Sequence, residues 1–169
     1  MQTATNSTTK TNSAAKGQDA TTLIRADHKL VSDLFAEYDK ARSPSKKQQL
    51  VGQICTELTV HAKVEEEIFY PAVKQALKDK ELVPEATVEH ATLKALIAQV
   101  EGVEPEGEMF EAKMQVLSEY VKHHVKEEQD EMFPKAKATS LDMKDLGAEI
   151  AARKEVLLAE RTKRASRWA

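Results

Sequence analysis

The chain is poor in the residues that punctuate turns: five glycines and five prolines among 169 residues. An all-β fold needs many more reversals than that supply allows, so helices are favoured. A single cysteine, Cys55, excludes an internal disulfide framework and is compatible with a reducing compartment. Set among helix formers, it reads as a small apolar residue. No apolar run approaches the roughly 18 residues of a membrane span. The net charge of −3 is too small to imply nucleic acid or an acidic membrane surface as partner of the whole chain. Also missing are a Ser/His/Asp arrangement, a Gly-rich phosphate loop and a Cys-x-x-Cys pair, so hydrolase, nucleotide and zinc-finger readings have no footing. The first twenty residues, "MQTATNSTTKTNSAAKGQDA", hold no apolar stretch. They are predicted to form a disordered tail and not an export signal, which points to the cytoplasm.

What is present is helical periodicity. Four amphipathic segments occupy residues 21–137, with apolar residues 41% and charged residues 31% of the chain. The first, from about Thr21 to Arg42, carries Ile24, His28, Val31, Phe35 and Tyr38 on one stripe. "SPSK" ends it and supplies cap-type serines for the second, whose face holds Leu50, Ile54, Leu58, His61, Glu65 and Ile68. Pro71 predicts a kink or a helix restart. The third stripe is Ala86, His90, Leu93, Ile97 and Val100, and the fourth is Phe110, Met114, Leu117, Val121, His124, Glu128 and Met132. Short connections make an all-α, up-down-up-down antiparallel four-helix bundle the expected fold. Residues 138–169 add a further helix, about Leu141 to Lys163, ending in the basic "RTKRASRWA".

The chain also repeats itself. "HAKVEEEIFYP" (61–71) aligns with "HVKEEQDEMFP" (124–134), so His61 matches His124, Glu65 matches Glu128 and Tyr70 matches Phe133. Upstream, "DHKLVSDLF" matches "EHATLKALI", pairing His28 with His90. Of the doubled histidine in "VKHHVKEEQDEMFP", only His124 has a counterpart; Val60 stands where His123 would be matched. A His-x-x-x-Glu pair lies roughly 40° apart around a helix, so both side chains leave one face. All four repeated histidines fall on the inward stripe, which gathers four imidazoles and two carboxylates near one axis. Unpaired buried carboxylates cost several kcal/mol and repel each other, a penalty that bound cations remove. A metal-free ion-pair network or a zinc site would use some of these groups. Six nitrogen and oxygen donors best suit two metals sharing the carboxylates, with iron or manganese preferred.

With these motifs, residues 21–137 resemble the hemerythrin family, in particular the bacterial HHE cation-binding domains. The resemblance implies a four-helix bundle around two non-haem iron ions. It implies iron ligands at His28, His61, Glu65, His90, His124 and Glu128, with Glu65 and Glu128 bridging and an oxo or hydroxo bridge between the ions. O2 carriers of the family have a further histidine one turn after the third-helix ligand; here that place holds Lys94. The ligand count then leaves both irons open to water, peroxide or O2. Three functions are compatible: binding O2 or a related oxidant for sensing, storage or scavenging; catalase-like or ferroxidase catalysis; or a metal-dependent interaction module read through the basic C-terminal helix. Glu57 and Tyr120, one turn before His61 and His124, are expected to approach the cluster, and Lys94 to neutralise a carboxylate or reach solvent. Glu66, Glu67, Glu127 and Asp130 are expected to be solvated, and His123 to be a solvated or boundary neighbour.

Overall fold

The computed structural model describes residues 17–168; most of the N-terminal tail, residues 1–16, lies outside them. All regular structure among the described residues is helical. Asp19 caps α1 (Ala20–Lys40) by accepting from the Thr22 amide at 2.9 Å. Ser43 caps α2 (Pro44–Val64) in the same way through Lys46, with Pro44 in the first turn where its missing N–H is harmless. After α3 (Tyr70–Leu77), Lys78 turns left-handed at φ 51°. Asp79 then accepts from the Leu82 and Val83 amides to start α4 (Leu82–Val100). The rest are α5 (Gly107–Glu127), α6 (Phe133–Lys137) and α7 (Met143–Trp168). None of the described helices is long and apolar enough to cross a membrane.

Pro71 brings no break. Between α2 and α3 the helix runs through a single π turn, Glu65–Phe69, in which the Tyr70 amide donates to the Glu65 carbonyl. The same happens between α5 and α6 at Glu128–Met132, with the Phe133 amide reaching Glu128. The extra residue per turn absorbs the donor that Pro71 or Pro134 lacks, so each rod stays continuous where an interior proline would otherwise kink it.

α1 packs on α2 and α4 on α5, and α7 lies along α1 and α2. Every stripe residue expected inward is buried except Ile68, which is half-buried. Two apolar clusters flank the histidines. One, around Phe35, Ile54, Ile97 and Leu117, fills one end of the bundle. The other joins Phe69, Phe133, Val60 and Val64 to Leu146, Ile150 and Leu157 of α7. Cys55 is fully buried, and burial pushes its thiol up to about 12, which keeps it an unreactive apolar side chain. α7 approaches the start of α1 so closely at Gly147 that a Cβ there would lie 2.2 Å from the Gln18 carbonyl oxygen. Gly147→Ala should therefore cost about 1–3 kcal/mol, seen as a lower thermal midpoint with metal binding retained.

Candidate metal centre

The structure brings all six sequence-predicted residues together, and all six are buried. They divide into two sets. In one, His28 Nε2 lies 3.1 Å from Glu128 Oε1, and His61 Nε2 lies 3.0 Å from Glu65 Oε1. In the other, His90 Nε2 lies 3.1 Å from Glu65 Oε2, and His124 Nε2 lies 3.4 Å from Glu128 Oε2. Each glutamate thus gives one oxygen to each set, the disposition a bridging carboxylate needs. Both glutamates stand at the first residue of a π turn, at the same place in the two repeats.

The sets differ in what meets them. His28 Nε2, His61 Nε2, Glu65 Oε1 and Glu128 Oε1 are buried without a hydrogen-bond partner. Buried polar atoms are rarely left so, and four at one point suit the binding of a cation. The other set surrounds the hydroxyl of Tyr70, which donates to Glu128 Oε2 at 2.7 Å. It also stands 3.0 Å from Glu65 Oε2, 3.1 Å from His90 Nε2 and 3.2 Å from His124 Nε2. Burial, then the charges of Glu65 and Glu128, hold the phenol well above its usual range, so it stays protonated. Phe133, the counterpart of Tyr70 in the repeat, instead lies parallel to the His28 ring at 6.1 Å. Because it carries no hydroxyl, the first set is left without a donor.

The outward nitrogens are held by residues that the pattern of inward stripes missed. Asp27 accepts from His61 Nδ1 at 3.3 Å, and Glu89 accepts from His124 Nδ1. Each acid immediately precedes the histidine of the neighbouring helix, as "DH" and "EH" in the repeat, so the alignment contained the signal. Gln129 accepts from His28 Nδ1 at 2.8 Å, while Glu66 stands 3.6 Å from His90 Nδ1, beyond a hydrogen bond. These two also match in the repeat, directly following Glu128 and Glu65. Such partners fix the tautomer and orientation of a metal-binding imidazole, here turning the Nε2 atoms of His28, His61 and His124 inward.

Charge follows geometry. Burial alone would lower His61, but the Glu65 carboxylate and Asp27 outweigh it and push the imidazole up to about 10. His124 is driven up to about 12 against the same burial by Glu128, Glu65 and Glu89. Burial would likewise raise Glu65, yet His61, His124 and His90 hold it well below the usual carboxylate range. Asp27 is held low despite its burial by His61 and by the ammonium of Lys154, which reaches it from α7.

The flanking expectations divide. Glu57 is half-buried near Lys154, Asp27 and His61, and burial raises its carboxyl. Tyr120, its counterpart, is 40% exposed. The reason is α7, which covers the outer side of α1 and α2 and leaves that of α5 to solvent. Lys94 pairs with Glu66 at 2.6 Å, so Glu66 is a half-buried partner and not the freely solvated residue expected. Glu67 is tied to Arg153 of α7 at 2.7 Å, Asp130 is exposed as expected, and Glu127 is half-buried with His123 Nε2 at 3.2 Å. His123 is 61% exposed at its side chain.

The Hemerythrin HHE cation binding domain profile matches residues 19–136. Over 111 residues the chain is 33% identical to a protein of Nostoc sp. (strain PCC 7120 / SAG 25.82 / UTEX 2576) named DNA nickase, a match covering 66% of this chain and 31% of that one. The chain therefore spans under a third of that relative. The fold is similar to the crystal structure of a hemerythrin HHE cation binding domain-containing protein from Mycobacterium kansasii, a homolog of Rv2633c. The TM-score is 0.74 at 21% identity, covering 85% of this chain and 89% of the other. The repeated histidine and glutamate pattern, the buried cluster it builds and the matched profile agree: the chain belongs to the hemerythrin HHE cation-binding family.

Proposed function

We propose that the chain holds two iron ions, one in each histidine set, and binds O2 or a related small oxidant beside them. The observation that carries this reading is the quartet of unpartnered buried atoms, two imidazole nitrogens and two carboxylate oxygens within 4.8 Å of one another. Left bare, such atoms cost several kcal/mol; a divalent cation satisfies all four at once. The second set offers His90, His124 and Glu65 in the same mutual reach. Nitrogen and oxygen donors without sulfur suit iron or manganese, and iron when bound supplies one- and two-electron chemistry toward oxygen species.

The chain's own residues shape what such a centre meets. Val31, Leu58, Leu93, Ile97, Val121 and Val125 line an apolar cavity against all four imidazoles. Its volume, about 20 Å³, admits one small molecule. An apolar wall favours an uncharged diatomic over water and ions. Lys94 stands at its rim, tied to Glu66. A second reading, peroxide decomposition, is favoured by Tyr70, whose hydroxyl holds a proton 2.7 Å from Glu128 Oε2 at the heart of the second set.

Protein produced with iron and reduced anaerobically should gain a visible band in air, and argon should remove it if the ligand is O2. Oxygen release on adding peroxide, slowed in Tyr70→Phe, would favour the second reading. Iron content far below two per chain, and no lower in His61→Ala, would overturn both.

A further inference from the structure

The acids that precede His28 and His90 have two oxygens each, and only one of the two is used on an inner histidine. On Asp27 the other oxygen, Oδ1, is met by the Lys154 ammonium from α7. On Glu89 the other oxygen, Oε1, meets no lysine, because α7 lies along α1 and α2. It faces His123 Nε2 at 3.5 Å instead, and that nitrogen lies 3.2 Å from Glu127 Oε1. One half of the bundle therefore places a cation on its carboxylate, while the other half places an imidazole and a second carboxylate at the equivalent point.

The sequence contains the same asymmetry. His123 and Glu127 form a second His-x-x-x-Glu pair, overlapping His124-x-x-x-Glu128 by one step. In the first repeat their places are taken by Val60 and Val64, which are buried in the cluster that includes α7. On the uncovered face of α5 His123 is exposed and Glu127 half-buried, and Glu89 from α4 completes a group whose ligand atoms lie within 4.8 Å of one another. Two of its members, Glu89 and Glu127, also line a small cleft with Glu85, His124 and Glu128.

We propose that Glu89, His123 and Glu127 form an outer site for a divalent first-row cation, with Glu89 linking that cation to His124. One imidazole and two carboxylates, with water completing the shell, suit zinc, manganese or ferrous iron. The cation takes the place that Lys154 fills in the other half, and relieves the repulsion between two neighbouring carboxylates. It stands beside the small cleft that His124 and Glu128 also line. The site is built from residues outside the six inner ligands and does not depend on which metal those six hold.

Zinc titration of the full chain, read by calorimetry and by zinc retained after desalting, tests the site. The wild type should bind one more equivalent than the inner sets account for. His123→Ala, at an exposed position, and Glu127→Gln, which keeps the side-chain volume, should each weaken that equivalent about tenfold or more and leave the inner ones. His61→Ala should lose inner zinc and keep the equivalent that depends on His123. Zinc count and affinities unchanged in His123→Ala would overturn the outer site. A wild type whose single bound zinc depends on His123 would keep it and overturn the inner reading instead.

Discussion

Glu65→Gln should strip the centre of both ions, a larger loss than any single histidine substitution produces. Glu65 is fully buried and places Oε1 in the His28/His61 set and Oε2 in the His90/His124 set. Glutamine keeps the volume, so the core should stay packed, but it removes the charge and replaces one donor oxygen with an NH2 group. With neither set retaining its full anionic complement, affinity for both ions should fall by roughly two orders of magnitude or more, since ligating groups must be deprotonated and negatively charged where carboxylates are needed. His28→Ala removes one nitrogen from one set and should spare most of the other ion. Metal counting on desalted protein separates the two results. Wild-type metal content in Glu65→Gln would rule out the shared-carboxylate arrangement.

Metal binding should also strengthen steeply with pH, because protons occupy the same nitrogens. In the metal-free chain His61 is raised to about 10 and His124 to about 12 from an ordinary 6.5. A raised imidazole stabilises the fold fully below 6.5, and that contribution is lost as pH climbs through the folded value. Glu65 is depressed, so its contribution is present above 4.5 and is lost as pH falls toward its lowered value. From these groups the metal-free chain is most stable between about 4.5 and 6.5 and weakens above. The loaded chain does not weaken in that window, since each ion has displaced the proton and its imidazoles are unprotonated both bound and unfolded. Each displaced proton costs about tenfold in affinity per pH unit, so two of them give roughly a hundredfold between pH 7 and 8. Thermal melts of loaded and metal-free protein from pH 6 to 9 should show a widening gap. A constant gap would mean that neither imidazole is protonated in the metal-free state.

The six inner residues were legible because duplication and helical period act on the same positions. His28 and His61 are 33 residues apart and His90 and His124 34, and each falls on its helix's inward stripe. Tyr70 was aligned with Phe133 but not placed in the site. In an α-helix a residue five after Glu65 points well away from it, and only the π turn brings the Tyr70 hydroxyl back to the Glu65 carboxylate. A π turn leaves no period in the apolar pattern, although paired prolines at the same offset were its trace. Asp27 and Glu89 were readable from the dipeptides before His28 and His90. Tyr120 was misplaced for a different reason: repeat symmetry made it the equal of Glu57, and the symmetry is broken by α7. Nothing in the amphipathic stripe of α7 says which pair of helices it will cover.

The two π turns also divide each long rod into segments of different rotational phase. Upstream of Glu65 and Glu128 the helix is oriented by its histidine and carboxylate; downstream, by its aromatic ring and proline. Wound as regular α-helix with all its residues kept, either turn would swing everything beyond it by roughly 100°. Tyr70 would leave its four polar neighbours, or Phe133 would leave the His28 ring, with every ligand still in the chain. The five-residue step from Glu65 to Tyr70, and from Glu128 to Phe133, is thus as much a part of the site's geometry as the glutamates themselves.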